Sequence, residues 1–351
     1  MELLRGIMNN PKDCIGSVTQ KLLSGIISDP DYFVVRPQSG GGNNKVFILE
    51  REGTPEYIMK QYFQHAADPR DRCRAEWTFL EYAAKVGISC VPKPVICDHD
   101  QGIAIYQYIS GSRILTNGLH PDYIDQALSF FEAINRRDNT GKGKYLQPAA
   151  EACFCLQDHL ECVNRRIMSL LQIDAESSVD REAIDFVRQE ISPRWKYIQT
   201  HIHEQEILRS HGSKERLSDR DIIISPSDFG FHNAILSESG TVFFIDFEYA
   251  GLDDPVKMIC DFFCQPEVPI PHSYLPSFSD RVLRRMDNPE YHRHRIRILM
   301  PAYILKWCCI ILNEFLPLGR ARRMFAKNDP DIDAIKEKQL NKARGLLSTI
   351  D

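Results

Sequence analysis

The sequence predicts an α+β protein of two lobes, a small antiparallel sheet with one inserted helix followed by a larger, mainly helical region. Three observations carry this reading. Between residues 33 and 109, short runs of β-branched and aromatic residues alternate with Gly, Pro and acidic turns. One segment of helical composition interrupts them. From about residue 112 onward long helical periodicity takes over, relieved by a single strand-turn-strand unit near 222–245.

The strand candidates in order are "YFVVRP", "NKVFILE", "EYIMKQYF", "KPVICDHD" and "GIAIYQYI", and the helix among them is "PRDRCRAEWTFLEYAAKVG", which Gly87 is placed to cap. Beyond them the periodicity predicts helices at 121–137, 151–172, 180–206 and 294–318, with Pro193 breaking the third. A further helix begins at "DDPVKMICDFF", where acidic residues precede Pro255 at N1, and a last one begins similarly at "DPDIDAIKEKQL". The lobes divide into 1–106, including an N-terminal helical extension, and 107–351.

Composition limits the function classes. The 351 residues, 43% hydrophobic and 26% charged, suffice for a sizeable core, and the net charge of -5 gives no basic footprint for nucleic acid. The start "MELLRGIMNNPKD" lacks the pattern of a signal peptide, and "AYILKWCCIILNEFLPL" is interrupted by Lys306, Asn313 and Glu314, so a buried helix is expected there and no membrane partner. Eleven cysteines without a framework spacing point to reduced thiols and a cytoplasmic setting. Cys155, His159 and Cys162 share a helix face but supply only a fragment of a zinc site, and buried thiols are the simpler reading. Trp307 is expected in the core.

The chemistry concentrates in "PSDFGFHNAIL", from Pro226. If its "DFG" were a kinase metal loop, a catalytic Asp followed by an Asn five residues later would lie upstream, a hairpin away. Asp221 is the candidate, but Pro226 stands five residues after it and no hairpin fits before Asp228. Taken as the base itself, Asp228 has Asn233 five residues on. "AIL", "SESG" and "TVFFI" then form a hairpin that delivers Asp246 as a hard oxygen ligand for Mg²⁺. A carboxylate that takes the hydroxyl proton, with an Asn and a second Asp on the metal, is the order of parts in phosphoryl transfer. The simpler alternative makes Asp228 and Asn233 turn residues and Asp246 a helix cap.

The first lobe supplies the remaining parts. Ser39, Gly40, Gly41 and Gly42 lie between two strands, where bare backbone can approach phosphate oxygens, although glycine-rich hairpins are common. Lys60 follows in the next strand, placed to neutralise phosphates. Glu76 shares a helix face with Phe79, Leu80 and Ala83, and a carboxylate there needs a partner, for which Lys60 is the candidate; snorkelling to water is the alternative.

Together, "SGGGNNKVF", Lys60, Glu76 in "RAEWTFLEYAAKVGISCVPKP", "YQYISG", "SDFGFHNAI" and "IDFEYAGLDDPVKMICDFF" resemble the aminoglycoside phosphotransferase and choline kinase group, the small-molecule branch of the protein-kinase-like fold. The resemblance covers nearly the whole chain. It implies use of ATP and Mg²⁺, Asp228 as catalytic base, Asn233 and Asp246 as metal ligands, and Lys60 with Glu76 as the pair that orients the phosphates. It also implies backbone contacts to adenine from Gln107, Tyr108 and Ile109, and Asp261 as a structural acid bracing the catalytic loop.

Two departures stand out. Pro226 occupies the position where the family usually has His, which leaves the loop conformation open and motivates a rival reading, a nucleotide-binding pseudokinase or scaffold. The stretch Phe229, Gly230, Phe231, His232 lacks the lysine that protein kinases place there, which argues against a protein substrate. His232 is a candidate contact to phosphate or substrate, although a loop His is more often a structural hydrogen-bonder. The acceptor is expected to be a small molecule with a hydroxyl group, a sugar or sugar derivative ahead of a choline-like amino alcohol or an aminoglycoside, because 281–297 and 320–323 are basic. A solvated helix face is the alternative for both clusters.

Overall fold

The computed structural model describes residues 21–24, 33–38, 42–136, 139, 142–143, 145–207, 214–326 and 331–350. The expected N-terminal extension and Ser39, Gly40 and Gly41 lie largely or wholly outside these. Five antiparallel strands form the first sheet, β1 (Phe33–Gln38), β2 (Lys45–Arg51), β3 (Thr54–Gln61), β4 (Pro94–Asp98) and β5 (Ile103–Gln107), in the order β1-β2-β3-β5-β4. Side chains alternate across a strand, so the register separates two faces. Met59 opposite Ile105 joins Phe47, Leu49 and Ile103 in a small cluster on one face. Lys60 opposite Ala104 lies on the other.

That second face receives helix α1 (Arg72–Lys85), whose N-terminus is capped by the Asp71 carboxylate accepting from the Arg74 N–H at 2.9 Å. Its apolar stripe does not stop at the sheet. Phe79, Leu80, Tyr82 and Ala83 belong to the main core, which continues into the helical region, and Phe79 stacks on Phe247 with centroids 4.4 Å apart. One core therefore runs across both parts of the molecule.

The helical region comprises α2 (Pro121–Ile134), α3 (Leu156–Leu170), α4 (Ser178–Phe186), α5 (Ser192–Ile207), α6 (Pro255–Cys264), α7 (Leu275–Leu283), α8 (Pro289–Ile311), α9 (Pro317–Ala326) and α10 (Ile332–Leu347). Two small sheets sit among them: β6 (Ser112–Arg113) with β8 (Ala234–Leu236) and β9 (Val242–Phe244), and β7 (Ile223–Ser225) with β10 (Gly251–Asp253).

Several expectations are corrected. Pro193 does not break its helix. A π-turn at Val187–Ile191 links α4 to α5, and the Ser192 N–H reaches back to the Val187 carbonyl, a wider loop that absorbs the missing proline N–H. The segment expected as one helix over 294–318 starts earlier, at Pro289, passes through Pro301, and ends at Ile311 before α9 restarts with Pro317 at its first position. Helix α7 and the short strands β6 and β10 lacked a periodic signal of their own.

The helical segment Pro289–Phe315 is long and apolar enough to cross a membrane, but 72% of its most apolar window is buried inside the protein. Its polar residues are paired there: Arg295 with Asp254, Lys306 with Asp261, and His292 with Asp221 at 3.2 Å. His159 of α3 packs between Tyr303 (2.6 Å) and Asp254 (3.0 Å). Burial holds both the His159 and the His292 imidazoles below the ordinary histidine range, with Asp254 opposing. An unfolded chain takes up these protons as pH falls through about 6.5, while the folded chain declines them until lower pH, so this stability is present above that pH and lost below it. Urea unfolding at pH 7.5 and 5.5 should show the lower midpoint at 5.5, and His159→Gln should flatten that dependence.

Candidate active site

The loop after β7 is built from alternating residues. Phe229 and Phe231 point into the core, stacking or tilting against Phe130, Phe244 and Phe262 at centroid distances of 5.0–5.8 Å in their closer contacts. That pins the residues between them. Pro226 is buried immediately after the last residue of β7, where it costs no ladder hydrogen bond. The Ser225 hydroxyl accepts from the Ser227 N–H at 3.0 Å, and Ser227 takes φ of 63°. Asn135 clamps the strand itself, bonding both the N–H and the carbonyl of Ile224 at 2.8 and 2.9 Å. The loop is thus ordered without the histidine at position 226.

Asp228 meets His232 Nε2 at 3.2 Å through Oδ1 and the Asn233 amide nitrogen at 3.2 Å through Oδ2. Burial works to raise its carboxyl, but the His232 charge and these hydrogen bonds outweigh it and hold Asp228 below its ordinary range. Burial works to lower the His232 imidazole, and the Asp228 charge lifts it above its ordinary value. Asp228 is therefore an ionised acceptor at neutral pH.

Asn233 leads into β8, and Ile245 follows β9. The Ile245 N–H donates to the Asn233 carbonyl at 2.9 Å, so the β8–β9 hairpin brings Asn233 beside Asp246. Asp246 takes φ of 68°, an uncommon conformation for a residue with a side chain. Lys60 closes the set. Its Nζ lies 2.8 and 2.9 Å from the Glu76 carboxylate and 2.7 Å from Asp246 Oδ1. Burial opposes the Lys60 charge, and the two carboxylates outweigh it and raise its pKa. Glu76 is further held by the Tyr62 hydroxyl at 2.6 Å, itself 2.7 Å from the Tyr106 hydroxyl.

The oxygens present suit Mg²⁺ delivered with a nucleotide. Because the Asn233 nitrogen is spent on Asp228, its amide oxygen is left as a ligand atom, beside the half-exposed Asp246 carboxylate. One carboxylate and one amide oxygen are the kind of small hard-oxygen set from which Mg²⁺ can be held when phosphates and water complete its shell.

Glu248, two residues beyond Asp246, is buried and accepts from Asn43 at 3.0 Å and Asn44 at 2.6 Å, tying the end of the glycine segment to the loop that carries Asp246. Gly42 lines the cavity that opens beside Asp228. At the expected adenine contacts, the Gln107 and Tyr108 N–H groups are spent on the Lys93 and Glu56 carbonyls, both at 2.9 Å. Ile109 keeps an N–H without a partner among the described residues.

Asp261 differs from its expected place. Its carboxylate is held by Lys306 at 2.8 and 2.9 Å, Trp307 Nε1 at 3.1 Å and Lys257 at 3.5 Å, with no hydrogen bond to the catalytic loop among the described residues. It lines a cavity of about 730 Å³ that opens beside Asp228. Trp307, expected in the core, forms part of that wall, its ring 6.5 Å from His232. Glu151, Arg166, Lys306 and Arg322 also line it and carry no local motif that marks them. Of the two basic clusters, the one at 281–297 is spent elsewhere: Arg281 on Glu132, Arg293 on Asp280 and Arg295 on Asp254. Arg322 and Arg323 of the other do reach the cavity.

The family model described as "Phosphotransferase enzyme family" matches residues 34–296. No curated protein matches the chain. Among solved structures, choline kinase LicA from Streptococcus pneumoniae superposes with a TM-score of 0.60 at 14% identity, covering 96% of this chain and 99% of that one. Spectinomycin phosphotransferase APH(9)-Ia, solved with ADP and spectinomycin, gives 0.60 at 12%, covering 95% and 97%. An ethanolamine kinase from Plasmodium vivax gives 0.58 at 12%, covering 97% and 90%. The fold is the bilobal α+β fold of protein-kinase-like enzymes, and the chain belongs to the phosphotransferase enzyme family, with the aminoglycoside phosphotransferase and choline kinase-like proteins.

Proposed function

We propose that this chain is an ATP- and Mg²⁺-dependent kinase that phosphorylates a hydroxyl group of a small molecule, a sugar or sugar derivative. The observation that carries the reading is Lys60 bridging Glu76 and Asp246 at 2.7–2.8 Å, with Asp228 and Asn233 one hairpin away. Lys60 and the backbone at Gly42 face the nucleotide phosphates. Asp228 orients the acceptor hydroxyl from the cavity side and takes its proton as the hydroxyl oxygen bonds to the γ-phosphorus and the bond from that phosphorus to the bridging oxygen breaks, ADP leaving with the electron pair. Asn233 and Asp246 hold Mg²⁺, which supplies charge neutralisation to the phosphates when bound.

A cationic acceptor such as choline or an aminoglycoside needs free carboxylates. Apart from Asp228, each acid of the cavity has an ion-pair partner: Asp68 in Arg70 and Arg72, Glu151 in Arg166, Asp261 in Lys306, Glu267 in Lys342, and Glu314 in Arg323 through Oε1, its Oε2 buried without a hydrogen bond among the described residues. This favours a sugar. ADP release should be measured over sugars, sugar phosphates, sugar acids, amino alcohols and aminoglycosides, with and without Mg²⁺. Magnesium-dependent release with sugar-derived acceptors is expected; a response confined to amines, or none with any hydroxyl compound, would sink the assignment.

A further inference from the structure

Arg322 is the cation in the cavity that the catalytic scheme leaves unused. Its Nε is buried and has no hydrogen-bond partner among the described residues. Its charged surroundings include Arg70 and Arg72, both already bound to Asp68, and the hydroxyl of Tyr249, whose ring those two arginines flank at 5.4 and 5.8 Å. Burial, with these two cations, holds the guanidinium below its ordinary range. Arg165 also lacks an ion pair among the described residues, but it is exposed, where water satisfies it.

The helix that carries Arg322 is firmly set, so the side chain is not a stray from the surface. Gly319 packs α9 so closely on the turn before it that a methyl group there would come within 1.8 Å of the Asn313 carbonyl. Arg323 binds Glu314, and Phe325 meets Phe63 edge-on at 5.6 Å with Lys45 over its ring at 4.6 Å. Such a helix holds a half-buried charge at the cavity wall, its Nε cut off from water and from any partner among the described residues, where an anion would compensate it. Arg322 lines the same cavity as Asp228; of the groups assigned to the nucleotide phosphates and metal, Gly42 borders it too, whereas Lys60, Asn233 and Asp246 are not among its lining residues.

We infer that Arg322, with Arg70 beside it, seats an anionic group of the acceptor, a phosphate or a carboxylate, so that the substrate is a sugar phosphate or sugar acid whose free hydroxyl lies toward Asp228. This rests on the kinase reading above, but its test requires no turnover. Inorganic phosphate is the probe, and thermal unfolding is the readout. Phosphate should raise the Tm of the wild-type chain by about 2 °C or more. Arg322→Gln should abolish the rise while unfolding, without phosphate, at or above the wild-type temperature, because a half-buried cation whose Nε has no partner among the described residues has been removed. Arg322→Lys should retain part of the rise. The measurement is repeated with saturating Mg²⁺ and a non-hydrolysable ATP analogue, and the phosphate effect should persist.

Loss of the effect in the presence of the analogue assigns the seat to the nucleotide and overturns the proposal. So does an equal phosphate response in wild type and Arg322→Gln, or a fall in Tm for that variant without phosphate, which would mark Arg322 as a structural partner. Failure of the chain to release ADP would reject the kinase reading and leave the phosphate result standing on its own.

Discussion

Asp228→Asn should lower kcat by about 10²–10⁴-fold, the range over which a positioned acid or base contributes, while leaving the KM for ATP nearly unchanged. The substitution preserves shape. An amide can still accept from the Asn233 side chain through its oxygen and donate through its nitrogen to a neutral His232, in place of the two contacts the carboxylate now makes at 3.2 Å each, so the loop pinned by Phe229 and Phe231 keeps its form. What it loses is the ability to take the acceptor's proton. On the proposed reading nucleotide affinity rests on other groups, chiefly Lys60 and Asp246, which Asp228→Asn leaves in place. Steady-state ADP release with the best acceptor from the screen decides it: a variant within a few-fold of wild type would show that Asp228 is not the base.

The second large effect is on stability and activity together. Lys60→Met should destabilise the fold by about 3–5 kcal/mol, the usual cost of leaving one partner of a buried ion pair alone. Glu76 is 2% exposed, and without Lys60 it retains the Tyr62 hydroxyl among its present bonds. Adding Glu76→Leu removes the stranded carboxylate and should recover much of the loss, as apolar replacement of whole buried pairs often does. Activity should not return, because the cation facing the phosphates is still missing. Urea unfolding of wild type, both single variants and the double variant gives the cycle; a double variant no more stable than Lys60→Met would show that the pair is not what holds Glu76.

The candidate catalytic residues could be grouped from the sequence because they are nearly local. Asp228, Asn233 and Asp246 lie within one loop and one hairpin, so spacing alone brings them together once β8 and β9 pair. Glu76 was legible for a different reason, since a carboxylate on an apolar helix face must find a cation, and Lys60 is that cation at 2.8 Å. The acceptor wall had no such signature. Arg166, Lys306, Trp307 and Arg322 come from α3, α8 and α9, and only the packing of those helices sets them around one cavity. Charge clusters read from composition lack direction, which is why the basic run at 281–297 turned out to serve helix packing while Arg322 faces inward. Pro193 shows the same limit in the backbone, where tertiary context accommodates a residue that helix rules exclude.

The stack of Phe79 on Phe247 bears on regulation. In protein kinases the helix carrying the lysine-binding glutamate is a movable part, and placing it is how activity is controlled. Here that helix is built into the core of the second lobe. Phe79 and Ala83 are fully buried, and the Tyr82 hydroxyl donates to the Ile134 carbonyl of α2. Swinging α1 outward would open a large void and orphan that hydrogen bond. Moving Glu76 away from Lys60 would therefore cost core packing of the second lobe as well as the ion pair, so the position of the one is tied to the integrity of the other.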